Sequence, residues 1–219
     1  MAERVRVGVI GTSWFADLVH LPWIKSHPGA DLCAICGRNQ DRAQEMAKKH
    51  DIPQVFSDYH TMIEKGNLDA VVVAAPDNLH YEMTMYALEH KLHVLCEKPL
   101  ASNAVQAKEM YEKAESADVK HMAFFTWRWP PHHRYLKQLV DSGYIGRPFD
   151  AHIHYVADYA RDGAYSWRFD RDVGGGCGRR SDGRVRDCRG VSGKIRRGFH
   201  RRDRTQFQKL SKTTRRVLE

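Results

Sequence analysis

The residues with the clearest chemical spacing open the chain: Val5-Arg6-Val7-Gly8-Val9-Ile10-Gly11-Thr12-Ser13-Trp14-Phe15-Ala16. A dinucleotide-binding turn needs a small residue for the tight exit from the first strand. It needs a second where backbone approaches the pyrophosphate and a third where helix packs on strand. Gly11, Ser13 and Ala16 stand at those three places, as G-x-S-x-x-A. A helix starting near Trp14 then aims its unpaired amides and positive dipole end at phosphate. Serine in the middle position departs from the usual glycine, although its hydroxyl can donate to a phosphate oxygen.

The tip of the second strand speaks to which dinucleotide is held. An acid there accepts from the ribose 2′-hydroxyl of NAD, whereas arginine accommodates the 2′-phosphate of NADP. The strand ends Cys36-Gly37-Arg38-Asn39 without an acid, which favours NADP over NAD. Asp31, at the opposite end of that strand, reads as a solvated surface residue. Cys33 and Cys36 have redox spacing but fall within the strand, where residues three apart face opposite ways, so a buried-strand role is expected. Nothing points to a metal site.

These residues need a scaffold, and the pattern of apolar runs supplies it. Short runs at Val5–Ile10, Leu32–Cys36, Ala70–Ala74, Val94–Cys96 and Met122–Phe125, with a short extra strand at Gln54–Phe56, read as strands. Helical stretches lie between them at Trp14–Lys25, Asp41–His50, Tyr59–Lys65, Leu79–His90 and Ala104–Ala117. Alternation with connections this short predicts βαβ units and a parallel sheet. Strands apolar throughout suit a sheet covered on both faces. The expected fold is α/β: a doubly wound parallel Rossmann sheet over residues 1–125, followed by an incomplete α+β substrate domain over 126–176. Asn39 is placed to cap the second helix, and Ser102 or Asn103 the helix from Ala104. Beyond Thr126 a helix over His133–Ser142 and an alternating strand over Phe149–Tyr159 begin the second part.

Charge divides the 219-residue chain sharply. The formal net charge is +8. Residues 175–219 carry twelve Arg and three Lys against four acids, so the rest of the chain is mildly acidic. The Arg-rich stretch 177–219 shows no hydrophobic period and reads as disordered. With Phe199 and Phe207 as its only aromatic residues it is poorly equipped to stack on bases, so a nucleic-acid partner is not expected. Five cysteines without an even framework, no secretory signal and no apolar run of about 20 residues suggest a cytoplasmic protein with no membrane association.

At Cys96-Glu97-Lys98-Pro99-Leu100 the chain resembles the Gfo/Idh/MocA family of NAD(P)-dependent oxidoreductases. The likeness extends through the Gly11 turn, Ala75-Pro76-Asp77-Asn78-Leu79-His80, Thr126-Trp127-Arg128-Trp129-Pro130, Asp141 to Pro148 and Trp167-Arg168-Phe169-Asp170, and so covers residues 1–176. It implies hydride transfer between NAD(P) and a sugar, cyclitol or similar polyol. Lys98 is then the catalytic residue, stabilising an alkoxide or assisting proton transfer, with Glu97 orienting it and Pro99 fixing the backbone. Cofactor contacts are expected from Gly11, Thr12, Ser13, Trp14, Phe15, Gly37, Arg38, Pro76, Asn78, His80, Glu97, Lys98 and Arg128. Asn78 and His80 match positions on the nicotinamide-ribose side.

The likeness breaks after Gly174-Gly175-Gly176. The family continues with an aspartate and, four positions on, a proton-transferring histidine, but Arg180 and Arg184 occupy that register here. A reading-frame shift near codons 172–178 is the preferred origin of the tail, over a functional basic arm. Loss of that pair and of the sheet that follows predicts impaired turnover, a doubtful family-like homo-oligomer and an exposed, association-prone strand. The alternative is a non-catalytic dinucleotide-binding protein or sensor.

Overall fold

In the computed structural model, residues 4–150 are described. Six strands form one sheet: β1 (Val5–Ile10), β2 (Ala30–Cys36), β3 (Gln54–Phe56), β4 (Ala70–Val73), β5 (His93–Cys96) and β6 (His121–Ala123). Their order is β3-β2-β1-β4-β5-β6 and every pair is parallel. This is the doubly wound arrangement expected of the sequence, and the order reverses between β1 and β4. The register brings Ile10 level with Cys36 and Val73, and Val73 level with Cys96, so the strands end together along one edge.

The helices α1 (Leu21–Ser26), α2 (Gln40–His50), α3 (Tyr59–Lys65), α4 (His80–Glu89), α5 (Ala104–Ala117) and α6 (Pro131–Asp141) follow the expected alternation. Asn39 and Asn103 cap α2 and α5 by accepting from the amides of Arg42 and Gln106. Of Ser102 and Asn103, it is Asn103 that caps α5. The first helix is less regular than its apolar period suggests: Ala16–His20 is a π-turn that runs into α1. The segment before α4 is a separate 3₁₀ turn, Asp77–Leu79.

Alternate strand residues feed two apolar layers. Val7, Val9, Ile35 and Val72 pack with Ala16, Leu21, Met46 and Ala47 on one face. Ile10, Cys36, Val71, Val73 and Cys96 pack with Met62, Met83, Leu88, Met110 and Ala114 on the other. Leu21 is fully buried. Leu21→Ala therefore removes a core contact at the root of the first helix, and a loss of about 2–5 kcal/mol is expected in urea unfolding.

Two sequence expectations change in detail. Cys33 and Cys36 pack on the same layer rather than on opposite faces, because the β1–β2 register shifts between Val7 and Gly8. Cys33 occupies the extra position of that irregularity. Both are free thiols, and burial pushes Cys36 up to about 12. Asp31 is not merely solvated, since it pairs with Arg4 at 3.0 Å. Of the strand expected over Phe149–Tyr159 the described residues include Phe149 and Asp150, which are not in a strand; the rest of it, the glycine cluster at Gly174–Gly176 and the Arg-rich tail lie outside the described residues. Among the described residues no helix is long and apolar enough to cross a membrane, and no His, Cys, Asp and Glu cluster could hold a metal ion.

Candidate active site

The aligned strand ends put the predicted site residues on one edge of the sheet. Gly11 to Phe15 follow β1, Gly37 and Arg38 follow β2, and Pro76 and Asn78 follow β4. Glu97 and Lys98 follow β5, and Arg128 closes the 3₁₀ turn Thr126–Arg128 after β6. Open α/β sheets bind ligands outside the carboxyl ends of the strands, at the point where the order reverses. That point lies between Gly11 and Ala74.

Gly11 has φ +125°, and a Cβ on it would lie 2.3 Å from the Ala74 carbonyl oxygen. Its amide donates to Cys36 O at 2.8 Å. The turn is therefore closed down on both neighbouring strands and excludes any side chain. Ser13 Oγ accepts from the Ala16 amide at 3.1 Å, so the hydroxyl caps the helix and keeps its own hydrogen for another acceptor. Trp14 and Phe15, in the first turn, have amides without intrahelical acceptors. Trp14 is exposed. A cradle that a Cβ would fill, followed by unpaired first-turn amides, fits a pyrophosphate. Thr12 packs against Gly37, where a Cβ would meet Thr12 Cγ2 at 2.4 Å, so the first two strand ends touch. Arg38 is exposed beside them and makes no ion pair among the described residues.

A buried acid fixes the direction of that helix. Asp17 Oδ1 accepts from His50 Nε2 at 2.7 Å and from Lys49 Nζ at 2.9 Å, and Oδ2 accepts from Arg42 at 3.0 Å. Three donors from α2 thus hold the π-turn that directly follows Trp14 and Phe15. Burial alone would raise the Asp17 pKa. The His50 and Lys49 hydrogen bonds and the Lys49 and Arg42 charges outweigh it and hold the carboxyl below its ordinary value of 3.8. A depressed folded-state value contributes stability that is complete above the unfolded value and disappears as pH falls through the folded one. Asp17→Asn is expected to cost about 1–3 kcal/mol at neutral pH. Thermal melts across pH should show the gap to the natural chain closing below about pH 4.

The end of the edge that follows β5 is organised by Glu97 and His80. Lys98 is exposed, and its amine has no carboxylate partner among the described residues. Glu97 is 8% exposed; its Oε2 accepts from the Lys98 amide at 3.1 Å and its Oε1 from His20 Nε2 at 2.8 Å. The carboxylate thus orients Lys98 through its backbone rather than through its amine. His80, expected on the nicotinamide-ribose side of the cofactor, lies in the interior. It is fully buried, with Nε2 2.8 Å from Ala75 O and Nδ1 2.7 Å from Pro99 O. Its ring joins the loop after β4 to the loop that carries Lys98, and Asn78 remains exposed nearby in sequence.

His20, Asp17 and His50 are the participants that sequence reasoning missed. A signal was present: each is a polar residue at a helical position whose neighbours at three or four residues are core. His50 completes the stripe Ala43, Met46, Ala47 of α2. His20 lies four residues after buried Ala16.

Two family models match the chain. The Gfo/Idh/MocA oxidoreductase family, NAD-binding Rossmann fold, covers residues 5–125. The Gfo/Idh/MocA C-terminal domain covers residues 133–179. Myo-inositol 2-dehydrogenase of Thermotoga maritima is 35% identical over 144 residues, which are 66% of this chain and 43% of that protein. The NADP(+) scyllo-inositol 2-dehydrogenase IolU of Bacillus subtilis is 33% identical over 156 residues, 71% of this chain and 47% of that one. The crystal structure of scyllo-inositol dehydrogenase from Lactobacillus casei with NAD(H) and scyllo-inositol superposes with a TM-score of 0.62 at 25% identity, over 66% of this chain and 43% of that one. The chain thus spans a little under half the length of these relatives. Family models that match residues 5–125 and 133–179 in succession show that this chain belongs to the Gfo/Idh/MocA family of oxidoreductases.

Proposed function

We propose that this chain binds a nicotinamide dinucleotide along the carboxyl edge of its sheet, with Lys98 beside the reacting carbon of a sugar, cyclitol or similar polyol. When bound, the dinucleotide supplies the hydride acceptor or donor. The observation that carries the reading is the closed Gly11 turn at the strand-order reversal, two strand spacings from Lys98, roughly 10 Å. Gly11 admits the backbone approach, the Trp14 and Phe15 amides face phosphate, and the Glu97 carboxylate holds the Lys98 peptide in place. The exposed Lys98 ammonium then stabilises negative charge on the substrate oxygen.

NADP is favoured over NAD. Arg38 stands at the tip of β2 without a neighbouring acid in Cys36-Gly37-Arg38-Asn39. IolU, a relative at 33% identity, is named for NADP(+).

The substrate class follows the relatives, whose names are inositol and glucoside dehydrogenases. Turnover is proposed to be weak, because Arg180 and Arg184 stand where the resemblance expects an aspartate and a proton-transferring histidine. A missing general acid–base group costs about 10²–10⁴ in rate. Residues 180–219, beyond the reach of the family's C-terminal-domain model, are proposed as an addition outside the family's plan. The test is a 340 nm assay of inositols and glucosides with NADP and NAD, beside equilibrium binding of both. Binding with slow oxidation of a polyol supports the reading. Rapid turnover would overturn the impairment, and failure to bind either dinucleotide would overturn the whole.

A further inference from the structure

The function just proposed needs the Lys98 amine at one place, yet Lys98 is exposed and its side chain is held by no carboxylate among the described residues. What fixes it must act through the backbone. Glu97 N donates to Val73 O at 2.9 Å, so Glu97 is still anchored to the sheet. The next amide, that of Lys98, is taken by the Glu97 carboxylate. The other oxygen of that carboxylate is taken by His20, from a different element 77 residues earlier.

The surroundings of this bond are apolar. The His20 ring is 4% exposed and lies against Phe15 and Phe124, with ring centroids 5.4 and 4.9 Å away. Phe124 is itself fixed by its amide, which donates to Cys96 O at 2.7 Å. A carboxylate buried in such a place is costly unless both its oxygens are paired. Packing alone would be served by an apolar residue at position 20. The imidazole adds a directed donor. The π-turn Ala16–His20 brings it to the end of β5, and such turns recur at functional sites.

We propose that His20 is a positioning residue for Lys98: its Nε2–H holds Glu97, and the carboxylate so held fixes the peptide from which the Lys98 amine projects. Because His20 also belongs to the helix whose first turn faces phosphate, one rigid path joins the phosphate end of the edge to the lysine. The inference rests on the reading of Lys98 as the residue beside nicotinamide, but its test does not need the dinucleotide.

The full-length chain is compared with His20→Phe, which keeps an aromatic ring between Phe15 and Phe124 without the donor, and with His20→Gln, which keeps a side-chain N–H without the ring. Competitive reductive methylation of amines, quantified by mass spectrometry, reads the reactivity of each lysine. In His20→Phe the Lys98 rate is expected to change by about threefold or more, since amine reactivity follows its immediate environment. Lys25, Lys65 and Lys108 should stay as they were, and His20→Gln should return Lys98 towards the natural value. Unchanged Lys98 in His20→Phe, equal change at all lysines, or a Gln variant no better than Phe would overturn the proposal. Should His20→Phe not fold, His20→Leu takes its place with the same expectations. Dinucleotide affinity measured in parallel separates the two ideas: a natural chain that binds neither dinucleotide defeats the functional reading, while the labelling pattern still decides the role of His20.

Discussion

Gly11→Ala is expected to weaken dinucleotide binding by about 100-fold or more. Two separate costs combine. The φ of +125° is open to glycine and strained for alanine, a cost of about 1–3 kcal/mol. The added Cβ would also sit 2.3 Å from the Ala74 oxygen and 2.7 Å from its carbonyl carbon, both backbone atoms of the adjoining strand end. Relief requires moving the turn away from β4, at about 1–3 kcal/mol for an overpacked site. The turn is also tied to β2 through the Gly11 amide, so it cannot shift without loosening that bond. Far-ultraviolet circular dichroism should show the sheet retained, while quenching of Trp14 by added NADPH disappears. A variant binding within about threefold of the natural chain would mean that the turn lies away from the phosphates.

Lys98→Met carries the second large effect, of opposite character. Turnover with any responsive polyol should fall by about 10²–10⁴, the range for a lost acid–base or charge-stabilising group. The melting temperature should barely move, and any loss of dinucleotide affinity should be far smaller than the loss of rate. The side chain is exposed and makes no ion pair among the described residues, so its removal strands no buried partner. Glu97 keeps both hydrogen bonds, because the one it shares with residue 98 runs to the backbone amide. Equal loss of affinity and rate would move Lys98 from the chemical step to simple binding of the cofactor.

Much of this arrangement is legible in the amino-acid sequence. The run Val5–Ile10 ending in Gly11 became β1 and the turn, because unbroken apolar residues followed by glycine have few other uses in a βαβ setting. Asn39 and Asn103 became caps because their side chains compete for the first amides of a helix, a strictly local effect. The order of elements dictated the parallel sheet, and the sheet in turn dictated that Gly11, Arg38, Pro76 and Lys98 would share an edge.

What stayed hidden was long-range. His20 and Glu97 are 77 residues apart, and Asp17 and His50 are 33 apart, so no local period records that they meet. His80 resembled a cleft residue by position, yet its ring is consumed by the carbonyls of Ala75 and Pro99. The bulge that turns Cys33 onto the same layer as Cys36 is likewise a property of the β1–β2 pair, invisible in β2 alone. Polar residues standing on an otherwise apolar helical stripe were the available sign, since burial without a partner is costly enough to imply one.

Calorimetric titration of the purified chain with NADPH, run beside Gly11→Ala under the same conditions, addresses the dinucleotide edge most directly. A saturable heat with one site per chain, weaker with NADH and absent in Gly11→Ala, is the expected outcome. A folded α/β domain that gives no heat with either dinucleotide, or a Gly11→Ala variant that binds as the natural chain does, would contradict it.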